Sequence, residues 1–186
     1  MNIMKTKQII GIAMLIVIAL AHASVTFAIS IDGEIPAPVL PAGCELLTVP
    51  AGNEVAFQVY AVGVQVYRWN GTAWGFVGPE ANLFASSNYR GLIGTHYGGP
   101  TWESNTGSLV ISSATTAVPC TPDPTAIPWL RLTAVSSSGP GVFDGVTYIQ
   151  RVNTVGGNRP AADGQFVGQE AKIPYTTEYY FYKQTN

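Results

Sequence analysis

The chain has 186 residues, of which only 11% are charged, and its 9 Lys and Arg stand against 11 Asp and Glu for a net charge of −2. This length fits one domain with a sizeable core. The slight acidity, with charges spread along the sequence, gives no electrostatic footprint for nucleic acid, and we expect no nucleic-acid partner.

The first 28 residues have the order of a secretory signal peptide. Two lysines precede an apolar run over 9–21, and small residues then offer cleavage after Ala23 or Ala28. The run is shorter than the ~20 residues that span a bilayer, although an uncleaved anchor is the alternative. We therefore predict a signal peptide over 1–28, no transmembrane anchor after cleavage, and a secreted protein that is extracellular, periplasmic or at the cell surface.

A proline-rich linker is predicted over 29–43, and a single domain over 44–186. The chain has two cysteines, Cys44 and Cys120. In an oxidising compartment we expect them to form a disulfide, and two buried free thiols are the alternative. With His96 as the one histidine after the signal peptide, they cannot form a standard zinc site. We expect no metal and no cofactor.

Short strands separated by turn residues follow the linker. Residues 46–49 read as a brief strand, and 54–69 as the strongest one, because apolar residues alternate along it. The alternation changes parity at Gly63, which predicts a bulge, a bend or a tight turn there. The pair Asn70-Gly71 predicts a hairpin closed by a type I′ turn.

The second half of the chain continues this pattern. The four prolines of 119–128 predict a rigid loop rather than a central strand. Other strands are expected at 91–97, 101–104, 108–112, 129–135, 146–152 and 176–183, the last with aromatic residues on both faces. After the signal peptide, no window of 12 or more residues keeps a helical period with caps. About nine to eleven short strands predict an all-β, single-domain antiparallel sandwich or barrel.

Four neighbouring residues are the best candidates for a ligand site: His96, Tyr97, Trp102 and Glu103. The turn at 98–100 separates them, so His96 and Trp102 are expected to lie close together if the two strands pair. Imidazole titrates near neutrality, and Trp and Tyr rings stack on sugars. Alternatively, Tyr97 and Trp102 are core residues and His96 is a hydrogen-bonded strand histidine.

Arg151 is a further candidate for ligand binding, because it precedes polar residues and two glycines. The alternative is that Arg151 has a structural role and pairs with a carboxylate. His96, Glu103 and Glu170 are catalytic candidates, since glycoside hydrolysis needs two carboxylates ~5–10 Å apart. Surface or salt-bridged glutamates are the alternative.

Several long motifs resemble an uncharacterised family of exported proteins from bacteria, fungi and plants. They are PEANLF (79–84), GTHYGGPTWES (94–104), DPTAIPWL (123–130), VTYIQRVNTVGG (146–157) and VGQEAKIPYTTEYYFY (167–182). The resemblance covers roughly 45–182 and implies no catalytic residue. Fungal members often carry the label malate dehydrogenase. The residues argue against that label, because GPGVFD (139–144) lacks the third glycine and the helix of a dinucleotide site.

The composition favours a binding module for polysaccharide or another envelope component. An extracellular hydrolase that uses His96 with Glu103 or Glu170 is the second hypothesis. A structural or stress-related surface protein is the third. An exposed row of Trp and Tyr rings would favour carbohydrate binding, whereas a cleft that joins His96, Trp102 and a second carboxylate would favour the enzyme.

Overall fold

The computed structural model describes residues 34–185, so the predicted signal peptide lies outside the described residues. These residues form nine strands and two short 3₁₀ helices, Glu45–Leu47 and Ala114–Thr116, and no α-helix occurs among them. The strands are β1 (Asn53–Trp69), β2 (Trp74–Phe84), β3 (Leu92–Tyr97), β4 (Thr101–Ser104), β5 (Leu109–Ser112), β6 (Val118–Cys120), β7 (Trp129–Ser138), β8 (Val146–Gly156) and β9 (Glu170–Gln184).

All the strand pairs are antiparallel, and eight strands close into a barrel. The order runs β5-β4-β3-β2-β1-β9-β8-β7, and the pairing of β5 with β7 closes the circle. β6 is an additional short strand, which pairs with the start of β7 beside the β5 contact. The predicted all-β single domain is confirmed, and of the two architectures left open the barrel is the one observed.

The barrel interior is filled by residues that alternate along each strand, as the pleat of a strand requires. One end is closed by aromatic rings, with Phe57 stacked on Phe181 at 4.7 Å between ring centroids. Phe143, which follows β7, packs against both rings. At the opposite end, polar side chains replace part of this apolar filling. Gln65 and Tyr67 are buried there.

The parity change at Gly63 does not mark a bulge, a bend or a turn, so this prediction was wrong. β1 keeps its register with both neighbouring strands through Gly63. The buried side of β1 continues from Ala61 through Gly63 to Gln65 and Tyr67. The apolar pattern inverts because the interior becomes polar near this end of the barrel, and the register with β2 shifts only later, between Val66 and Tyr67.

The hairpin at Asn70-Gly71 is confirmed, but its predicted turn type was wrong. Four residues, 70–73, connect β1 to β2, and of these only Gly71 has a positive φ, at 99°. A type I′ turn needs a positive φ at two successive residues. Here the side-chain oxygen of Asn70 accepts the backbone N–H groups of Thr72 and Ala73, at 2.9 and 2.8 Å, and the backbone N–H of Asn70 donates to the Ala73 carbonyl oxygen at 3.1 Å.

Residues 34–50, the N-terminal strap, lie on the outer face of the barrel. They contain the Glu45–Leu47 helix and not the predicted strand at 46–49. The barrel strands beneath are already paired on both sides, so no free edge is available for another strand. The strap covers the outward rings of Tyr180 and Tyr182 with Ile35 and Val49. Both faces of β9 are therefore covered.

The cysteine pair fastens the strap to the barrel. Cys44 and Cys120 lie at disulfide-bonding distance, with their Cα atoms 5.5 Å apart. Leu47 is fully buried beside this link, and its carbonyl oxygen accepts a hydrogen bond of 2.7 Å from the Gln150 side chain. The expected pairing of Cys44 with Cys120 is therefore present in the fold.

Candidate functional site

A pocket of about 270 Å³, which we call the mouth pocket, includes His96, Trp102 and Arg151 in its lining. Its wall joins β2, β3, β4, β7, β8 and β9 to the 3₁₀ turn that follows β5. The lining residues are Phe76, Pro79, His96, Pro100, Trp102, Ala114, Ala117, Leu130, Leu132, Arg151 and Tyr179. Phe76 is 58% exposed and Ala114 is also exposed, so these two residues form the rim.

His96 is held inside this pocket by its neighbours on β4. It pairs with Trp102 in the sheet, and the two rings stack with their centroids 4.2 Å apart. This confirms the expected approach across the turn. The Nδ1 atom lies 2.8 Å from the Thr101 carbonyl oxygen. A carbonyl can only accept, so Nδ1 carries the proton and Nε2 is left as an acceptor.

His96 is a poor proton carrier in this position. Only 3% of the residue is exposed. Burial lowers its pKa to about 3, the Thr101 hydrogen bond opposes this, and the Arg151 charge lowers the pKa further. The imidazole is thus neutral at physiological pH. It acts as a stacked ring with one fixed acceptor and not as a general acid or base near neutrality.

Trp102 and Tyr179 each place a buried hydrogen-bond donor at the pocket, the indole N–H and the phenol O–H. Their rings meet edge to face, with the centroids 5.4 Å apart. Among residues 34–185, neither the Trp102 Nε1 nor the Tyr179 hydroxyl has a partner in hydrogen-bonding geometry, although the Tyr175 hydroxyl and the Arg151 guanidinium lie beside the Tyr179 hydroxyl. A buried polar group without a partner costs ~1–3 kcal/mol. Both residues line the mouth pocket, so a molecule inside it is the natural partner for these groups.

Arg151 is the single charged side chain among the described residues that line the pocket. Its Nε and Nη2 atoms donate to the Pro128 carbonyl oxygen, at 3.1 and 2.7 Å. Within residues 34–185, Arg151 forms no salt bridge. Its contacts therefore differ from the alternative considered above, in which Arg151 pairs with a carboxylate. Burial raises the pKa of Tyr179, and the nearby Arg151 charge partly offsets this effect.

Tyr97 and Glu103 lie on the outside of the barrel, because strand residues alternate between its two faces. The Tyr97 hydroxyl donates to the Glu103 carboxylate at 2.7 Å, and this hydrogen bond raises the pKa of the hydroxyl. Tyr97 is 38% exposed. The predicted cluster is therefore divided, with His96 and Trp102 inside the barrel and Tyr97 and Glu103 outside it.

Glu170 shares an outer hollow of about 260 Å³ with Tyr97 and Glu80. Its carboxylate forms an exposed salt bridge of 2.7 Å with Arg68. Glu80 is likewise paired with Lys172, also at 2.7 Å. The structure thus brings Glu170 close to Tyr97, while the His96 imidazole lies on the opposite side of the sheet.

Several residues of the pocket wall were not predicted from the sequence. Tyr179 had a usable signal, since alternate members of the aromatic run on β9 must face inward. No sequence signal marked Pro79, Leu130 or Ala117, because apolar residues of these types are common and only barrel closure brings them together. A further hollow of about 380 Å³ lies outside the barrel between β7 and β8 and is lined mainly by Ser, Thr, Asn and Gln.

In residues 34–185 no helix has the length and apolar character needed to cross a membrane. The same residues contain no cluster of three or more His, Cys, Asp or Glu side chains placed to hold a metal ion.

A family model described as Protein of unknown function (DUF3455) matches residues 50–183. This match supports the resemblance to an uncharacterised family, and it covers all nine strands except the last residue of β9. No curated protein and no solved structure matches the chain.

Proposed function

Because the chain belongs to the family of proteins of unknown function DUF3455, we infer its role from the site, and we propose a binding protein whose mouth pocket takes one small molecule. The observation that carries this proposal is the pair of buried donors, Trp102 Nε1 and the Tyr179 hydroxyl, which lack partners in residues 34–185 and line the same pocket. Eight-stranded barrels are just wide enough to hold one small ligand.

The size of the pocket limits the ligand. An apolar cavity of ~150 Å³ binds benzene. The mouth pocket, at about 270 Å³, therefore suits a single ring with a substituent. A polysaccharide chain is too large for it, and one face of the Trp102 ring is already covered by His96.

A panel of single-ring probes tests this proposal: toluene, benzyl alcohol, benzamide and benzoate. We expect at least one of them to raise the melting temperature and change the tryptophan fluorescence. Ala117→Phe should abolish this binding, because Ala117 lines the pocket. Thr116→Phe is the matched control. Thr116 precedes Ala117 in the chain, but its side chain is exposed and does not line the pocket. Failure of every probe, or binding that survives in Ala117→Phe, would refute the proposal.

Neutral glycan binding on the outer surface is a second proposal. The groove of about 380 Å³ between β7 and β8 carries the hydroxyl and amide groups that suit polysaccharide, together with the Tyr148 ring. A glycan array with the purified protein tests this idea. Ser136→Trp, at an exposed position in the groove, should remove any glycan signal, and an array without any signal would reject the proposal.

The hydrolase hypothesis has less support. No carboxylate of the described residues lines the mouth pocket with His96. Glu103 and Glu170 lie on the outer face, the latter in a salt bridge.

We also propose export of the protein. The cysteine pair at disulfide-bonding distance supports an oxidising compartment. Amino-terminal sequencing of the exported chain should find a start at Ser24 or Ile29. An intact Met1 on a membrane-bound form would contradict this.

A further inference from the structure

We propose that the ligand of the mouth pocket is a small single-ring carboxylate, whose anionic group is held by Arg151, Trp102 and Tyr179. This inference rests on the proposed function and deepens it by naming the chemical class of the ligand. Three features of the pocket carry it: the imbalance between donors and acceptors, the charge without a counterion, and the apolar remainder of the wall.

The polar groups of the pocket are mainly donors. Arg151 and the Trp102 indole can only donate hydrogen bonds, and the Tyr179 hydroxyl has a proton to give. Nε2 of His96 is the one side-chain atom of this set that can accept a hydrogen bond but has no proton to donate. Proteins satisfy nearly all buried polar groups. A molecule that satisfies this set must therefore offer mainly acceptors, and a carboxylate offers two oxygens with about four lone-pair sites.

The charge of the pocket favours an anion over a neutral acceptor. Arg151 is partly buried, and among residues 34–185 its hydrogen bonds go only to the Pro128 carbonyl oxygen, through Nε and Nη2. Its Nη1 group is thus available. The neutral His96 adds no second positive charge to the pocket near pH 7. A partly buried cation without a counterion is unfavourable, and a bound carboxylate would compensate it with charge-assisted hydrogen bonds.

The rest of the wall fits an apolar body of one ring. Pro79 and Pro100 lie on the β2 and β4 sides of the pocket, Leu130 and Leu132 come from β7, and Phe76 stands at the rim. These side chains offer no polar atoms. The volume leaves room for about one ring and its acid group, by comparison with the ~150 Å³ that accommodates benzene.

Calorimetric titration of the purified protein with benzoate and with benzamide tests this assignment directly. The two probes have nearly the same shape and differ in charge. We expect benzoate to bind about tenfold more tightly or better, the scale of one charge-assisted hydrogen bond. Equal binding, or tighter binding of benzamide, would overturn the carboxylate assignment and leave the proposed binding function standing. Absence of binding by all four ring probes would overturn both.

Substitutions of Arg151 test whether this residue causes the preference for benzoate over benzamide. Arg151→Gln should remove the preference for benzoate, whereas Arg151→Lys should retain part of it. Arg131→Gln is the matched control, because Arg131 is also partly exposed and donates to a backbone carbonyl, that of Thr48, outside the pocket. A preference that persists in Arg151→Gln would contradict the assignment. If Arg151→Gln does not fold, the benzoate and benzamide comparison on the unaltered protein still decides.

A second matched pair tests the neutral donor. Tyr179→Phe and Tyr175→Phe each remove one buried hydroxyl that has no partner in residues 34–185. Only Tyr179 lines the mouth pocket. We expect Tyr179→Phe to weaken benzoate binding several-fold and Tyr175→Phe to have a smaller effect, because the Tyr175 hydroxyl adjoins that of Tyr179 but does not line the pocket. An equal effect of the two substitutions would argue against contact between the carboxylate and Tyr179.

Discussion

His96 shows how burial changes what a residue can do. Its sequence context indicates a titratable group at a ligand site, and the structure places it at the pocket. However, the imidazole is stacked on Trp102 and meets Tyr179 edge to face, with centroids 5.2 Å apart. A residue packed in this way also supports the core. We therefore expect His96→Ala to lower stability as well as to affect binding, because it would leave a cavity beside two aromatic rings.

The pH dependence of stability gives a direct test of the neutral imidazole. Between the ordinary pKa of 6.5 and the folded value of about 3, the unfolded chain binds a proton at His96 that the folded chain does not. Stability should therefore fall as the pH decreases. From pH 6.5 to pH 5, a range above the ordinary carboxyl pKa values, we expect the free energy of unfolding to drop by about 1.5 kcal/mol from this residue.

His96→Gln should remove that slope, whatever its effect on stability at neutral pH. Urea denaturation of both proteins at pH 6.5, 5.75 and 5 measures it. A slope that is identical in the two proteins would show that the folded imidazole titrates normally.

At the level of the strands, Gly63 is required by the close approach of β1 to β2. It has an ordinary extended backbone conformation, so the reason is space rather than φ. A Cβ atom on Gly63 would overlap the Glu80 carbonyl oxygen and lie 2.5 Å from the Cα atom of Ala81. Backbone atoms cannot move aside as a flexible side chain does. The glycine that the sequence suggested as a break in the strand is thus what allows the paired strands to continue.

Gly63→Ala should destabilise the barrel by about 1–3 kcal/mol or more, the range for overpacking. Gly75→Ala is the matched control on the same hairpin, because a Cβ there would lie 3.7 Å from the nearest backbone oxygen, an ordinary contact. Thermal and urea denaturation of both variants measure the difference. Equal stability of the two variants would show that the strands can separate at Gly63 without cost.

In the whole molecule, the N-terminal strap makes the outer face of the barrel part of the core. It covers the outward rings of β9, its Leu47 carbonyl binds Gln150, and Cys44 links it to β6 through Cys120. The strap and the barrel should therefore unfold together. Because the link closes a long loop of the unfolded chain, its chain-entropy contribution reaches at most about 4 kcal/mol.

Replacing both cysteines by alanine should lower the free energy of unfolding by up to about 4 kcal/mol, while the protein keeps a single unfolding transition. Reduction of the unaltered protein should have a similar effect, and the double variant should not respond to a reductant. Urea denaturation with and without dithiothreitol checks this. Unchanged stability after reduction would indicate that the two thiols are not joined.

The sequence by itself determined the local parts of this protein. Alternation identified most of the strands, Asn70-Gly71 identified a hairpin, and two cysteines left one intramolecular pairing. These features depend on neighbouring residues and on the side-chain period of a strand, so they can be recognised in one dimension. The approach of His96 to Trp102 was predictable for the same reason, because a three-residue turn brings them opposite each other.

Only the tertiary structure decided what lies inside the barrel and where it opens. The pairing of β5 with β7 closes the sheet, and that choice depends on strands far apart in the chain. Closure gives the polar side of β1 at Gln65 and Tyr67 an interior position. It also collects Arg151, Tyr179 and their apolar neighbours around one pocket. No local pattern specifies such a set, because its members share a location and not a sequence signal.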